Sequence, residues 1–269
     1  MNTIQTEDAP ISIAEQQYGD AIVVSHVTKR FQIRHRGSIK QQLLNATRRR
    51  LSGAHMEHKL ALNDISFTVP HGQTAAVIGR NGSGKSTLMG LLAKVYLTTE
   101  GDVDLYNTQG GKARIAPLLE LGAGFHPELD GNDNVEFYGA VLGMTPAQMA
   151  EKYQQIVDFA ELGDKMDTII RNWNDGARLR LGFSIAVHTD PDILLVDEVL
   201  AVGDEAFQNK CYKLIAHLQE QGKTILFVSH DLAVVERVAS RIIWLNNGVI
   251  RMDGDMPTVL REYRKASAE

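Results

Sequence analysis

The residues Gly79-Arg80-Asn81-Gly82-Ser83-Gly84-Lys85-Ser86 fill every position of the pattern G-x-x-x-x-G-K-[ST]. Their setting constrains the fold more than the match itself does. An apolar run, Thr74-Ala75-Ala76-Val77-Ile78, comes before them and reads as a strand, and Thr87-Leu88-Met89-Gly90-Leu91-Leu92 comes after and reads as a helix. In a strand–glycine loop–helix unit the backbone can curl so that successive N–H groups converge on an anion, and the helix adds its positive N-terminal end. Gly79 through Thr87 are therefore the candidate binding residues for the phosphates of a nucleotide. Lys85 is placed to reach the β- and γ-phosphate oxygens, and the Ser86 hydroxyl can ligate Mg²⁺. The bland alternative, a glycine-rich turn with a chance lysine, leaves the flanking strand and helix unexplained.

At 269 residues the chain holds one large domain or two modest ones. It has no run of eighteen apolar residues, and Met1 to Asp20 lacks the basic and apolar regions of a secretory signal, so that stretch reads as a polar, disordered tail. One cysteine, Cys211, excludes an internal disulfide, fits a cytosolic address and reads as a helix residue. A net charge of −5 gives no general reason to expect nucleic acid as a partner. The charge is uneven, however. Between Asp20 and Glu57 there is no carboxylate, while Lys29, Arg30, Arg34, Arg36, Lys40, Arg48, Arg49 and Arg50 fall there. Such a segment suggests a local anionic partner; a solvated linker is the alternative.

Ala21 to Val27 reads as a strand, and Leu60 to Leu62 with Ile65 to Val69 resume strand pattern. The basic segment, residues 32–59, thus inserts between two early strands. Within it Ser38 can cap a helix carrying Ile39, Leu43, Leu44, Thr47 and Leu51 on one side, suited to a headgroup layer or another protein. Short strands are predicted near Val103 to Tyr106 and Ala113 to Leu118, then a largely helical lobe over about 120–190. There Thr145-Pro146-Ala147-Gln148 is a capping box, and Met149, Tyr153, Ile156, Val157 and Ala160 follow as core. Asp192 to Val196 and Thr224 to Val228 are buried parallel strands around a helix from about Glu205 to Gln221. Arg241 to Leu245 and Val249 to Met252 form a hairpin turned at Asn247-Gly248. Strands alternating with helices predict an α/β core with a mostly parallel sheet.

Two strand ends carry chemistry. Ile193-Leu194-Leu195-Val196-Asp197-Glu198 ends an apolar strand in two acids: Asp197 can hold Mg²⁺, and Glu198 is the candidate to polarise an attacking water. Ser229-His230-Asp231 follows another buried strand, which would bring His230 to the crevice where open α/β sheets bind ligands.

Loop, Val-Asp-Glu strand, Ser-His-Asp and intervening helical lobe together resemble the ATP-binding subunit of ABC transporters, and most of all the branch that exports O-antigen, capsule, teichoic acid and galactan. Leu118-Leu119-Glu120-Leu121-Gly122-Ala123-Gly124-Phe125-His126-Pro127-Glu128-Leu129 and Asp197 through Cys211 carry that narrower likeness, which covers roughly Ala21 to Tyr263. The resemblance implies a P-loop NTPase of the ABC type over 21–265, with an antiparallel β subdomain and a helical signature subdomain. It implies that Glu120 stands near the metal where other branches carry a glutamine, that Ala201 to Asp204 form the D-loop, and that His230 is the switch histidine. Phe31, after the first strand, is the guess for the ring that stacks on adenine. The resemblance also implies two copies paired head-to-tail across two ATP molecules, a multi-spanning membrane permease as partner, a place on the cytoplasmic face of the inner membrane, and a lipid-linked glycan as cargo. A C-terminal carbohydrate-binding domain, found in some exporters of the branch, is not expected.

One peptide departs from the family pattern. Where Leu-Ser-Gly-Gly-Gln or Tyr-Ser-Ser-Gly-Met is usual, this chain has Trp173-Asn174-Asp175-Gly176-Ala177. Asn174 can still donate to a partner's phosphate beside Gly176 and the helix start, but Asp175 brings negative charge there. Alternatively Asn174 or Asp175 is an N-cap. Rival readings are the same engine with another cargo, an ABC-type ATPase acting on DNA or ribosomes, and a simple P-loop kinase. The second would need a long coiled coil or two fused halves, and the third no signature lobe.

Overall fold

A computed structural model describes residues 19–33, 57–119, 124–197 and 204–268. Its elements run β1 (Asp20–Ile33), β2 (Glu57–Pro70), β3 (Thr74–Ile78), α1 (Lys85–Leu92), β4 (Glu100–Leu105), β5 (Ile115–Leu118), α2 (Gly131–Val141), α3 (Pro146–Ala160), a 3₁₀ turn (Ile170–Asn172), α4 (Asp175–Val187), β6 (Ile193–Asp197), α5 (Glu205–Glu220), β7 (Thr224–Val228), α6 (Leu232–Val238), β8 (Arg241–Asn246), β9 (Val249–Asp255) and α7 (Met256–Ala268).

The apolar runs β3, β6 and β7 are central strands of a six-stranded sheet ordered β5-β6-β7-β3-β8-β9, parallel except for the β8–β9 hairpin. Both faces of these strands are covered, so both sets of alternating side chains must be apolar. Ala76, Ile78, Leu194 and Val196 pack with Phe183, Phe207 and Ile215 on one side. Ala75, Val77, Ile193 and Leu195 pack on the other with α1 and the inner face of a three-stranded antiparallel sheet, β2-β1-β4. A third core lies within α2, α3 and α4 and includes Val135, Met149, Ile156, Leu181 and Ile185. The helical lobe therefore has its own hydrophobic centre, as the pattern of its sequence predicts.

Local chemistry sets the element ends. Thr145 caps α3 with the reciprocal Gln148 bonds of a capping box and Pro146 in the first turn, a device worth roughly 1 kcal/mol. Asn247 and Gly248, at φ 50° and 79°, make the β8–β9 turn, the backbone sign that a two-residue hairpin needs. Cys211 is buried in α5, and burial pushes its thiol up to about 12.

The early strands differ in extent from the prediction. Pairing continues through Phe31↔Lys59, Gln32↔His58 and Ile33↔Glu57, so backbone hydrogen bonding claims both ends of the segment read as an insertion. The predicted basic helix, with Arg48, Arg49 and Arg50, lies outside the described residues, as does the N-terminal tail. Helix α7 was not expected. It anchors through buried Val259 and Leu260 and through Tyr263, edge-on to Trp244 at 5.2 Å.

Candidate nucleotide site

Strand β3 is held between β7 and β8, with Ala76 opposite Phe227 on one side and Ile242 on the other. Its end delivers the glycine loop to the C-terminal edge of the parallel strands, where such sheets bind ligands. The loop is tight: the Ser83 N–H donates to the Arg80 carbonyl at 3.1 Å, and the Leu88 N–H starts α1 by donating to Gly84 at 2.9 Å. Gly84 has φ 109°, and a Cβ there would lie 2.7 Å from Leu62 Cδ2 and 2.8 Å from the Ala61 oxygen. Any side chain would push the loop off β2, so this corner requires glycine. Lys85 is only 8% exposed, and its Nζ donates to the carbonyls of Gly79 at 2.8 Å and Arg80 at 3.2 Å. The cation is thus already desolvated and fixed over the loop, where it acts more strongly on an anion than it would in water.

A cavity of about 570 Å³ opens in front of this loop. Asn81, Gly82, Gly84, Lys85, Ser86 and Thr87 form one wall, Lys59, Leu60 and Ala61 of β2 another, and Phe31, Leu119 and Asp197 complete it. Gly79, Arg80 and Ser83 belong to the loop but not to the cavity lining, and Ser83 is buried behind it at 3% exposure. Asp197 ends β6 opposite Val228 of β7. Ser86 and Asp197 thus offer two hard oxygen donors to one space, the ligand type that Mg²⁺ takes. Phe31 stands edge-on to Tyr96 at 5.4 Å, and Lys29 Nζ lies 4.9 Å from the Phe31 ring centroid.

The other sequence-predicted residues are placed as follows. His230 is exposed just beyond the end of β7, two residues after the partner of Asp197. Asp231 caps α6 by accepting from the Ala233 N–H at 2.8 Å. Asn174 caps α4: its side-chain oxygen accepts from the Ala177 N–H at 2.8 Å. Asp175 opens that helix, exposed and ion-paired to Arg178. Asn174, Asp175 and Gly176 do not line the cavity in front of this chain's own loop. Glu120, Glu198 and 201–203 lie outside the described residues.

Sequence reasoning missed Lys59, Leu60 and Leu119. Lys59 could have been found from strand register, because it lies directly opposite Phe31 and opposite residues share a face of the sheet. It also missed a clasp between the helical lobe and α5. Lys210 Nζ donates to the Phe159 carbonyl at 2.8 Å and to Glu161 at 2.9 Å, and the Glu161 carboxylate also faces Arg180 of α4 at 3.7 Å. The hydrogen bond from Lys210 holds the Glu161 carboxyl below its usual range.

The family model described as "ABC transporter" matches residues 62–201. The "O-antigen export system ATP-binding protein RfbB" of Klebsiella pneumoniae is 42% identical over 91% of this chain and 97% of its own length. The protein of the same name from Myxococcus xanthus is 41% identical over 92% of this chain, which spans 56% of it. The "Teichoic acids export ATP-binding protein TagH" of Bacillus anthracis is 39% identical over 77% of this chain and 36% of its own length. Among solved structures, the dimeric post-hydrolysis state of "the ATP-binding cassette MJ0796 bound to ADP and Pi" superposes with a TM-score of 0.68 at 22% identity, over 87% of this chain and 98% of that one. That last likeness bears on the fold, and it agrees with the two sheets and helical lobe described above. The chain belongs to the ABC transporter family, in the branch whose members include the ATP-binding proteins of O-antigen export.

Proposed function

We propose that this chain is the ATP-hydrolysing subunit of an exporter that moves a lipid-linked polysaccharide across the cytoplasmic membrane. The observation that carries the reading is one cavity lined by Lys85, Ser86 and Asp197, in a chain 42% identical to an O-antigen export ATP-binding protein along nearly its whole length. The loop amides and Lys85 bind the nucleotide's phosphates, and Phe31 stacks on its base. Ser86 and Asp197 would hold Mg²⁺, with Glu120 beside it, and the ion would supply positive charge against the phosphates. Glu198 orients and deprotonates the attacking water, and His230 contacts the γ-phosphate from the neighbouring strand end.

Two copies pair head-to-tail. The start of α4 in one copy, with Asn174, Asp175 and Gly176, then meets the γ-phosphate bound by the other. Closure on ATP and opening after hydrolysis work a multi-spanning permease at the cytoplasmic face of the inner membrane. No helix among the described residues is long and apolar enough to cross a membrane itself. In this arrangement Asp175 is the unfavourable element, only partly offset by Arg178. Asp175→Ser is expected to strengthen ATP-driven dimerisation by up to about fivefold, since exposed charge contacts are worth at most ~1 kcal/mol. Sedimentation with ATP measures it, and unchanged or weaker dimerisation means that Asp175 serves α4 alone.

The basic segment supplies the test of cargo. Each cation near an anionic surface contributes on the order of 1 kcal/mol, and arginine forks suit the pyrophosphate of a polyprenyl carrier. Reversing Arg48, Arg49 and Arg50 to glutamate should leave ATP hydrolysis by the subunit intact, weaken membrane association and stop appearance of the glycan at the cell surface. Wild-type glycan export by a variant present in normal amounts would make the segment a solvated linker with no part in handling the cargo.

A further inference from the structure

The phosphate loop has a back as well as a front. Behind the cavity, the buried Ser83 carbonyl accepts a hydrogen bond from the Gly248 N–H at 2.9 Å, and the Gly248 carbonyl accepts one from the Asn63 N–H at 2.8 Å. Gly248 is the second residue of the β8–β9 turn, at φ 79°. A Cβ on it would stand 2.8 Å from the Ala61 oxygen and 3.2 Å from the Ala61 carbonyl carbon. The turn is therefore seated in a slot between β2 and the loop that only a glycine enters without displacement.

This grip bears on the face of the loop that meets the nucleotide. In a trans peptide the C=O and the following N–H point in opposite directions. With the Ser83 oxygen fixed toward the hairpin, the Gly84 N–H is aimed away from the hairpin, and Gly84 is a residue of the cavity lining. We propose that Gly248 is a positioning residue for nucleotide binding: its amide locks the Ser83–Gly84 peptide in the orientation that presents the Gly84 N–H to a phosphate. The proposal rests on the reading of the loop as the nucleotide site. Without the grip the peptide can turn over, the competent loop is only one of several, and affinity falls by the fraction of molecules that hold it. Sequence gives no hint of the contact, because Asn247-Gly248 is fully accounted for as a hairpin turn.

Linkage supplies a test on the unaltered chain. If the Gly248 contact favours the phosphate-binding loop, bound phosphate must favour the contact to the same degree. Amide hydrogen exchange of the full chain, with and without ADP, should show the Gly248 N–H slowed about tenfold by ADP, while the Gly222 N–H keeps its rate. In parallel, Gly248→Ala should weaken ADP binding about tenfold, the cost of one misdirected buried hydrogen bond. Gly222→Ala is the control. Gly222 has a similar φ of 73° with nothing within 4 Å of its would-be Cβ, so it pays the same backbone strain and should bind ADP like the wild type. If the wild-type chain binds no ADP, the nucleotide reading and this one fall together. If it binds ADP but Gly248 exchange is unaffected, or if the two alanine variants lose affinity equally, only the positioning role falls. The exchange experiment decides the matter even where Gly248→Ala does not fold.

Discussion

Lys85→Ala should abolish measurable ATP binding, with affinity lowered on the order of 10²–10⁴-fold, because each charge-assisted hydrogen bond to phosphate is worth ~1.5–3 kcal/mol and two are lost. The same cut removes the donor that Gly79 and Arg80 share, so the variant loop is also less well held before any nucleotide arrives. Titration with a fluorescent ATP analogue measures the loss, and thermal unfolding separates it from a general loss of structure. Lys85→Arg keeps the charge but not the size, and at 8% exposure there is little room for a guanidinium, so it should rescue poorly. Affinity unchanged in Lys85→Ala would remove the loop from the nucleotide site.

Glu198→Gln should behave in the opposite way: ATP binds as before, and turnover falls by roughly 10²–10⁴-fold, the range that a positioned general base supplies. Asp197 already lines the cavity beside Ser86, and Glu198 is the next residue after it. The amide cannot take the water's proton, so ATP survives and the two-copy sandwich should accumulate. Size-exclusion chromatography with ATP and Mg²⁺ would show a dimer for this variant and mostly monomer for the wild type. A variant that remains monomeric while still hydrolysing ATP would assign the base elsewhere.

The core of this fold was readable for a physical reason. Strands β3, β6 and β7 are covered on both faces, so their sequences are nearly uninterrupted apolar runs, and Thr224 to Val228 was placed to the residue. The phosphate loop, the α3 capping box and the Asn247-Gly248 turn were equally plain, because each depends on contacts within a few residues. What depended on partners far away in the chain was not. The last residues of β1, Phe31-Gln32-Ile33, look like part of a linker until Lys59, His58 and Glu57 pair with them. Among its described side chains, helix α7 buries Val259 and Leu260 alone, too few apolar positions to stand out from Met256 to Ala268 as written.

The site divides along the same line. Lys85, Ser86 and Asp197 were found from motif and strand pattern, and they meet in one cavity. Lys59 and Leu60 were missed, since nothing local marks them as wall residues. Asn174 was open between phosphate ligand and helix cap, and its bond to the Ala177 N–H shows that it caps α4.

The single thiol has a practical consequence. Cys211 is buried in α5, and its raised ionisation keeps it from forming the thiolate that alkylating and oxidising reagents attack. The wild-type chain is thus a near-blank background for site-specific labelling. A cysteine placed at exposed Val95 or Leu97 would be the one reactive position among the described residues. A pair of spectroscopic probes across two copies could then test the proposed closure on ATP without first stripping out a native residue.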